Sequence, residues 1–134
     1  MRKLLVYLGG LLSIIWGISH LIPTNNVMKG FGPISADNVH IIKMEWINEG
    51  FTLIFLGLLS IAVTLINDNK SKVSELVYLL IFIMLLAMSV LSLFTGFRVD
   101  FLPFKLCPLI FMISGFFIVQ GAFFKKEKSI NQSI

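Results

Sequence analysis

The chain is predicted to be all-α, an integral membrane four-helix bundle with both termini on the same side of the bilayer. Of its 134 residues, 57% are hydrophobic and 13% charged, against ~45–50% and ~25% in a soluble domain. Its mean hydropathy is +0.92. Four apolar runs, at about 4–22, 46–66, 76–97 and 106–124, approach or reach the ~20 residues that a helix needs to cross a bilayer. So little chain lies outside them that residues 1–134 read as a single transmembrane domain.

The net charge of +4 and a pI near 9.4 raise the question of nucleic acid. The basic residues, however, sit at the ends of the runs and are not interleaved with the exposed aromatics of a stacking platform. Nucleic acid is therefore not expected as a partner. A lone cysteine, Cys107, makes no internal disulfide and excludes the paired-cysteine chemistry of four-helix quinone-linked thiol oxidoreductases.

The first run follows Met-Arg-Lys but is longer than a signal-peptide core and shows no small-x-small cleavage site. It reads as a retained first span, closed by Pro23 and the polar Thr24-Asn25-Asn26. Residues 23–44 form the longest connection, punctuated by Gly30, Gly32 and Pro33. Ser35-Ala36-Asp37-Asn38 can cap a short helix, and an interfacial segment through His40, Ile41, Ile42 and Met44 leads into the second span. Asn67 to Lys72 is a tight polar turn before the third span. Arg98 to Pro108 reads as a re-entrant or interfacial linker, and the fourth span ends before Lys125-Lys126-Glu127-Lys128. The pentapeptide at Gly10–Ile14 recurs at Gly57–Ile61. Built of common membrane residues in antiparallel spans, it reads as chance.

Orientation follows from the basic residues of the short loops. Arg2, Lys3, Lys70, Lys72, Lys125, Lys126 and Lys128, seven in all, share one side, and Lys29, Lys43, Arg98 and Lys105 share the other. Both termini are expected in the cytoplasm, with a bacterial inner membrane as the location, and the two longer polar connections face outward.

On a helical wheel, Gly9, Gly10, Ser13, Trp16, Gly17 and His20 fall within one third of the first span, while Leu11, Ile14, Ile15 and Ile18 face lipid. Small residues let helix backbones approach closely, so the first group should face the bundle. Glu45, Asn48, Glu49 and Thr52 share a face of the second span, at spacings of three and four. Ser89, Ser92 and Gly96 offer a similar stripe on the third, and Cys107, Ser114 and Gly121 on the fourth. The result is an inward assignment with a polar outer mouth and a greasy inner half.

A carboxylate at or inside the membrane edge is costly, so Glu49, one turn (~5 Å) within its span, needs a use or a partner. Two readings stand for Glu45 and Glu49. Close carboxylates in a low dielectric hold a proton for acid–base or relay work, or they cap the first turn of the helix and pair with Lys43, Arg98 or Lys105. His20 is a base, a metal ligand, a partner of Glu49 or simply a hydrogen-bonded anchor. His40 reads as solvent-exposed. Together with His20 and the glutamates it would complete a metal set, but the spacing fits no HExxH-type pattern, so no metal is expected. Axial haem ligation by the two histidines is weaker still. Trp16 and Trp46 suit interfacial anchoring, and Trp16, on the face of His20, also suits a pocket wall. Arg98 and Asp100 pair with each other, or Arg98 pairs with a glutamate, to hold charge at the mouth. Cys107, with no adjacent base, reads as a small inward packer.

Glu49-Gly50-Phe51-Thr52-Leu53-Ile54-Phe55-Leu56-Gly57 resembles the Glu-Gly-x-x-Leu-x-x-x-Gly run of the DoxX-like small four-helix membrane proteins. Gly17-Ile18-Ser19-His20-Leu21 resembles the Gly-x-x-Lys/His-Leu end of their first helix. The resemblance implies a four-helix membrane fold. Members of the group have been linked to quinol oxidase and thiosulfate:quinone systems. The sterol isomerase and emopamil-binding group also uses membrane glutamates, a histidine and tryptophans, but its order and spacing do not match here, so none of its catalytic roles carries over.

The expectation is an outward pocket lined by Trp16, Glu45, Trp46, Asn48, Arg98 and Asp100, with Glu49 and His20 as the candidate catalytic pair. It would bind a small amphiphile, a lipid or quinone, or serve as an accessory subunit of a membrane redox system beside a membrane protein partner or a second copy. The alternative is an enzyme of proton transfer or isomerisation on a lipid-like substrate. No cofactor is named by the sequence.

Overall fold

The structure is a computed structural model that describes residues 2–66, 71–100 and 102–123. Residues 67–70 of the expected turn at Asn67–Lys72, the end of the fourth span at Phe124 and the basic tail lie outside the described residues. Among those residues the fold is all-α, and four helices are long and apolar enough to cross a membrane.

Helix α1 (Arg2–Leu21) is an apolar run stopped by Pro23, which has no N–H to continue it. Its last carbonyls, which lack helical donors, are met from outside. The Thr24 hydroxyl donates to the Leu21 carbonyl at 2.6 Å, and the Trp46 indole N–H donates to the His20 carbonyl at 2.9 Å. The tract Thr24-Asn25-Asn26, expected to be a polar stop, instead opens a short helix, α2 (Thr24–Gly30). Pro23 supplies the N-cap without losing a needed donor, and buried Val27 ties the helix down. Gly32, at φ 68°, then reverses the chain in a conformation that suits glycine.

Helix α3 (Ala36–Ile66) is capped by Ser35, whose hydroxyl accepts the Asn38 N–H at 3.3 Å. The expected interfacial segment and second span are one helix of 31 residues, because no glycine or proline interrupts 36–49. At ~1.5 Å per residue it is about 46 Å long, well beyond the ~30 Å hydrocarbon thickness. The acid of its first turn is Asp37, so Glu45, more than two turns in, does not cap the helix.

Helix α4 (Lys72–Phe94) starts earlier than expected, at the Ser71 N-cap, whose hydroxyl accepts the Ser74 N–H at 3.1 Å. It ends before a single 3-10 turn, Gly96–Arg98. Helix α5 (Leu102–Phe123) also starts early and takes in half of the expected linker, with Pro108 inside it. Pro103 sits in its first turn, where no intrahelical donor is required. Membrane helices accommodate an internal proline where neighbouring helices pack against it; here the Ser89 hydroxyl donates to the Pro108 carbonyl at 2.7 Å.

Helix α1 packs on α3 and α5, and α4 packs on α5, whereas α3 and α4 scarcely touch. Each packed pair carries one buried serine donating across the seam: Ser13 to the Leu53 carbonyl (2.8 Å), Ser114 to the Gly9 carbonyl (2.6 Å), and Ser89 to Pro108. The α1–α3 seam is built from two glycine pairs in antiparallel register, Gly10 with Gly57 and Gly17 with Gly50. A methyl added at Gly17 would lie 2.7 Å from the Gly50 carbonyl oxygen and 2.8 Å from Ile54. The repeated pentapeptides therefore face each other. Gly10 lies under Ser60 and Ile61 of the second copy, and Gly57 lies under Ile14 of the first. Ile14 thus belongs to the seam and not to the lipid face, while Leu11, Ile15 and Ile18 are exposed as expected.

The inward face of α3 also differs from the expectation. Its buried residues are Trp46, Gly50, Leu53, Leu56, Gly57, Ser60 and Thr64. The stripe of Glu45, Asn48, Glu49 and Thr52 lies beside the α1 seam and not in it, with Glu45 and Asn48 exposed and Glu49 and Thr52 half-buried. Glycine decides this, because the side of α3 that lets α1 approach is the side without side chains.

Candidate functional site

Between the diverging halves of α3 and α4 lies a groove of about 490 Å³. One wall is the polar stripe of α3, with Glu45, Asn48, Glu49 and Thr52. The other is mainly apolar, with Met84, Met88 and Leu91 of α4 and, beyond them, Ser92 and Thr95. Trp46, Phe104 and Cys107 also line it. Toward the far end of the pair, the Thr64 and Tyr78 hydroxyls share a hydrogen bond at 2.9 Å.

His20, from α1, sits behind this groove against Glu49 and Trp46. It is 6% exposed, and its ring stacks on Trp46 with centroids 3.7 Å apart and planes 18° apart. Trp46 in turn meets Phe104 edge-on at 5.2 Å. The Trp46 ring therefore fixes His20 by its face and the end of α1 by its N–H. His20 Nε2 lies 3.4 Å from Glu49 Oε2, too poorly aligned for a hydrogen bond, so this buried nitrogen has no hydrogen-bond partner. The Trp16 indole nitrogen is likewise buried with no hydrogen bond of good geometry, its polar neighbour being the Cys107 thiol. Buried polar atoms are nearly always satisfied. Two orphans on one helix, one turn apart, mark this as the place where the fold leaves polar capacity unused.

The expected site residues divide into two groups. His20, Trp46 and Glu49 come together, with Glu45 and Asn48 beside Trp46 and Glu49 on the groove wall, whereas Trp16 does not line the groove and meets the cluster only through Cys107. Trp46 is buried and bonded to the end of α1, so it is a wall of the site as well as an anchor. Arg98 and Asp100 do not join. Arg98 is exposed and has no ion pair among the described residues. Asp100 lies 3.5 Å from Lys105 and lines a second cavity of about 490 Å³ with Val27, Phe31 and Val99. The expected pairing of Arg98 with Asp100 is thus replaced by Asp100–Lys105, since the first turn of α5 brings the Lys105 ammonium to the aspartate. His40 is exposed and turned back on its own helix, with Nδ1 2.7 Å from the Ala36 carbonyl oxygen.

The residue that sequence reasoning placed correctly but undervalued is Cys107. Its heptad stripe with Ser114 and Gly121 marked it as inward-facing, and it is buried. Its sulfur, a ring nitrogen of His20 and a carboxylate oxygen of Glu49 all lie within 4.8 Å of one another. Helix periodicity tells which face is inward but not which helix it meets, so that neighbourhood had no signal in the spacing. No protein-family model, no curated protein and no solved structure matches the chain.

Proposed function

We propose that this four-span membrane protein binds a small amphiphile, a lipid or a quinone, in the groove between α3 and α4. The polar head would meet Asn48 and Glu49, and the apolar part would lie along Met84, Met88 and Leu91. The observation that carries the reading is the groove's two-sided chemistry: it has one polar and one mainly apolar wall, and its partly exposed Glu49 carboxylate backs onto a buried histidine. Ligand sites are mostly apolar concavities with a few convergent polar groups, and an ionisable residue at membrane depth is a functional candidate by default. Kinship with the DoxX-like group belongs to the same proposal. So do a role beside a membrane redox partner or a second copy, and an orientation with cytoplasmic termini that points the groove's mouth outward.

Native mass spectrometry of the detergent-solubilised protein tests it. Wild type should retain lipid or added short-chain quinone, and Glu49→Gln should retain at least about tenfold less, equivalent to ~1.4 kcal/mol. Absence of any retained amphiphile, or retention indifferent to Glu49→Gln, contradicts it. The 3.4 Å approach of His20 to Glu49 favours one second reading, proton transfer on a lipid-like substrate by that pair. It predicts a bell-shaped pH–rate profile and turnover lost in both Glu49→Gln and His20→Ala.

A further inference from the structure

We propose that His20, Glu49 and Cys107 form a three-ligand site for a zinc-class divalent cation, with its fourth position open to the groove. The site goes beyond amphiphile binding and does not depend on it. Each residue comes from a different helix, α1, α3 and α5, so the constellation exists only in the folded bundle.

The geometry fits tetrahedral coordination. With metal–nitrogen and metal–oxygen bonds of ~2.0–2.2 Å, two ligands of a tetrahedral zinc lie about 3.4 Å apart. His20 Nε2 and Glu49 Oε2 are 3.4 Å apart. A zinc–sulfur bond of ~2.3 Å places the sulfur about 3.6 Å from its neighbours, and the Cys107 sulfur lies within 4.8 Å of both. A side-chain shift of about 1 Å, from at most 4.8 Å to about 3.6 Å, closes the set.

The chemistry fits as well. A thiolate, an imidazole and a carboxylate together suit zinc better than magnesium or calcium, which take oxygen ligands. Binding releases the thiol proton to the groove. The resulting thiolate and the Glu49 carboxylate carry two negative charges that cancel the ion's two positive ones, leaving a neutral centre where an uncompensated charge is costly.

The two orphaned atoms supply the independent observation. His20 Nε2, on a side chain 4% exposed, faces the glutamate with no hydrogen bond, and a lone pair given to a metal satisfies it. The Trp16 indole N–H, beside the cysteine, becomes an outer-shell donor to the thiolate sulfur, as metal-bound ligands require. Stacking on Trp46 holds the imidazole plane in place. Glu49 and Cys107 line the groove, so the fourth position faces it, as in zinc sites that take up a water or a ligand.

Cobalt(II) is the probe, added to the chelator-stripped full chain in detergent and displaced with zinc. One cobalt per chain, with thiolate-to-metal charge-transfer absorption, tetrahedral d–d bands and loss of both on adding zinc, is expected. Cys107→Ser should abolish the charge-transfer band. His20→Gln and Glu49→Gln should each weaken cobalt affinity at least about tenfold, and His40→Ala should leave it unchanged. No charge-transfer band in wild type overturns the site, whether or not any variant folds. So does a band that survives Cys107→Ser. Amphiphile retention by the metal-free protein is read separately, so failure of the metal site and failure of the groove are distinguishable.

Discussion

Helices α3 and α4 meet at one end and part at the other, and the two ends treat polar groups in opposite ways. At the closed end, Thr64 donates to the Ser60 carbonyl and shares a hydrogen bond with Tyr78, and Ser60 donates to the Gly57 carbonyl. All are buried and satisfied within the two helices. At the open end, Glu49 is half-exposed, and His20 Nε2 and Trp16 Nε1 are buried without hydrogen bonds. The sequence-based expectation of a greasy inner half is therefore too simple, because both ends contain polar residues. What separates them is whether the polar groups have partners within the protein. Closed hydrogen-bonding circuits hold the bundle together, and the unfinished set at the open end is where the proposed ligand would bind.

Gly57→Leu should have the largest effect, because it acts on both ends. The added side chain runs into the Gly10 carbonyl and Ile14, where a backbone cannot yield, and overpacking costs about 1–3 kcal/mol or more. Thermal unfolding in detergent should show a lower Tm, with amphiphile retention lost as well. Glu49→Gln should separate the ends in one direction: binding falls at least about tenfold, while Tm stays within the range of surface changes, about ±0.5 kcal/mol. Tyr78→Phe should separate them in the other. It removes one interhelical hydrogen bond, worth roughly 0.6 kcal/mol between membrane helices, and binding at the open end persists. Arg98→Gln, outside the groove, should change neither stability nor binding by more than about 0.5 kcal/mol. A loss of binding there would return the arginine to the site.

Much of the fold is legible in the sequence because a bilayer leaves few alternatives. Four long apolar runs have to be helices, since only helices satisfy their own backbone in lipid. The inward faces of α1 and α5 follow from Gly9, Gly10, Ser13 and Gly17, and from Cys107, Ser114 and Gly121, because small residues mark close approach. The face of α3 misled for a physical reason. Its acids look like a bundle interior, but two glycines a heptad apart, Gly50 and Gly57, set the seam and rotate the acids into the groove. Helix ends were less legible, since nothing in the apolar pattern says that α3 begins ten residues before Trp46. The pairing of helices was not legible at all. The same five residues repeated at Gly10 and Gly57 pack against each other, and His20, Glu49 and Cys107 meet, only because α1 lies between α3 and α5.

The most direct test of the central claim is photo-crosslinking in a membrane. A phospholipid or short-chain quinone carrying a diazirine is irradiated with the protein, and the adducts are mapped by peptide. Adducts concentrated on Met84, Met88 and Leu91 of α4 and on 45–52 of α3, and lost in Glu49→Gln, are the predicted result. Adducts spread evenly over lipid-facing residues such as Leu11, Ile15 and Phe55, or groove adducts indifferent to Glu49→Gln, would contradict a binding site at the open end.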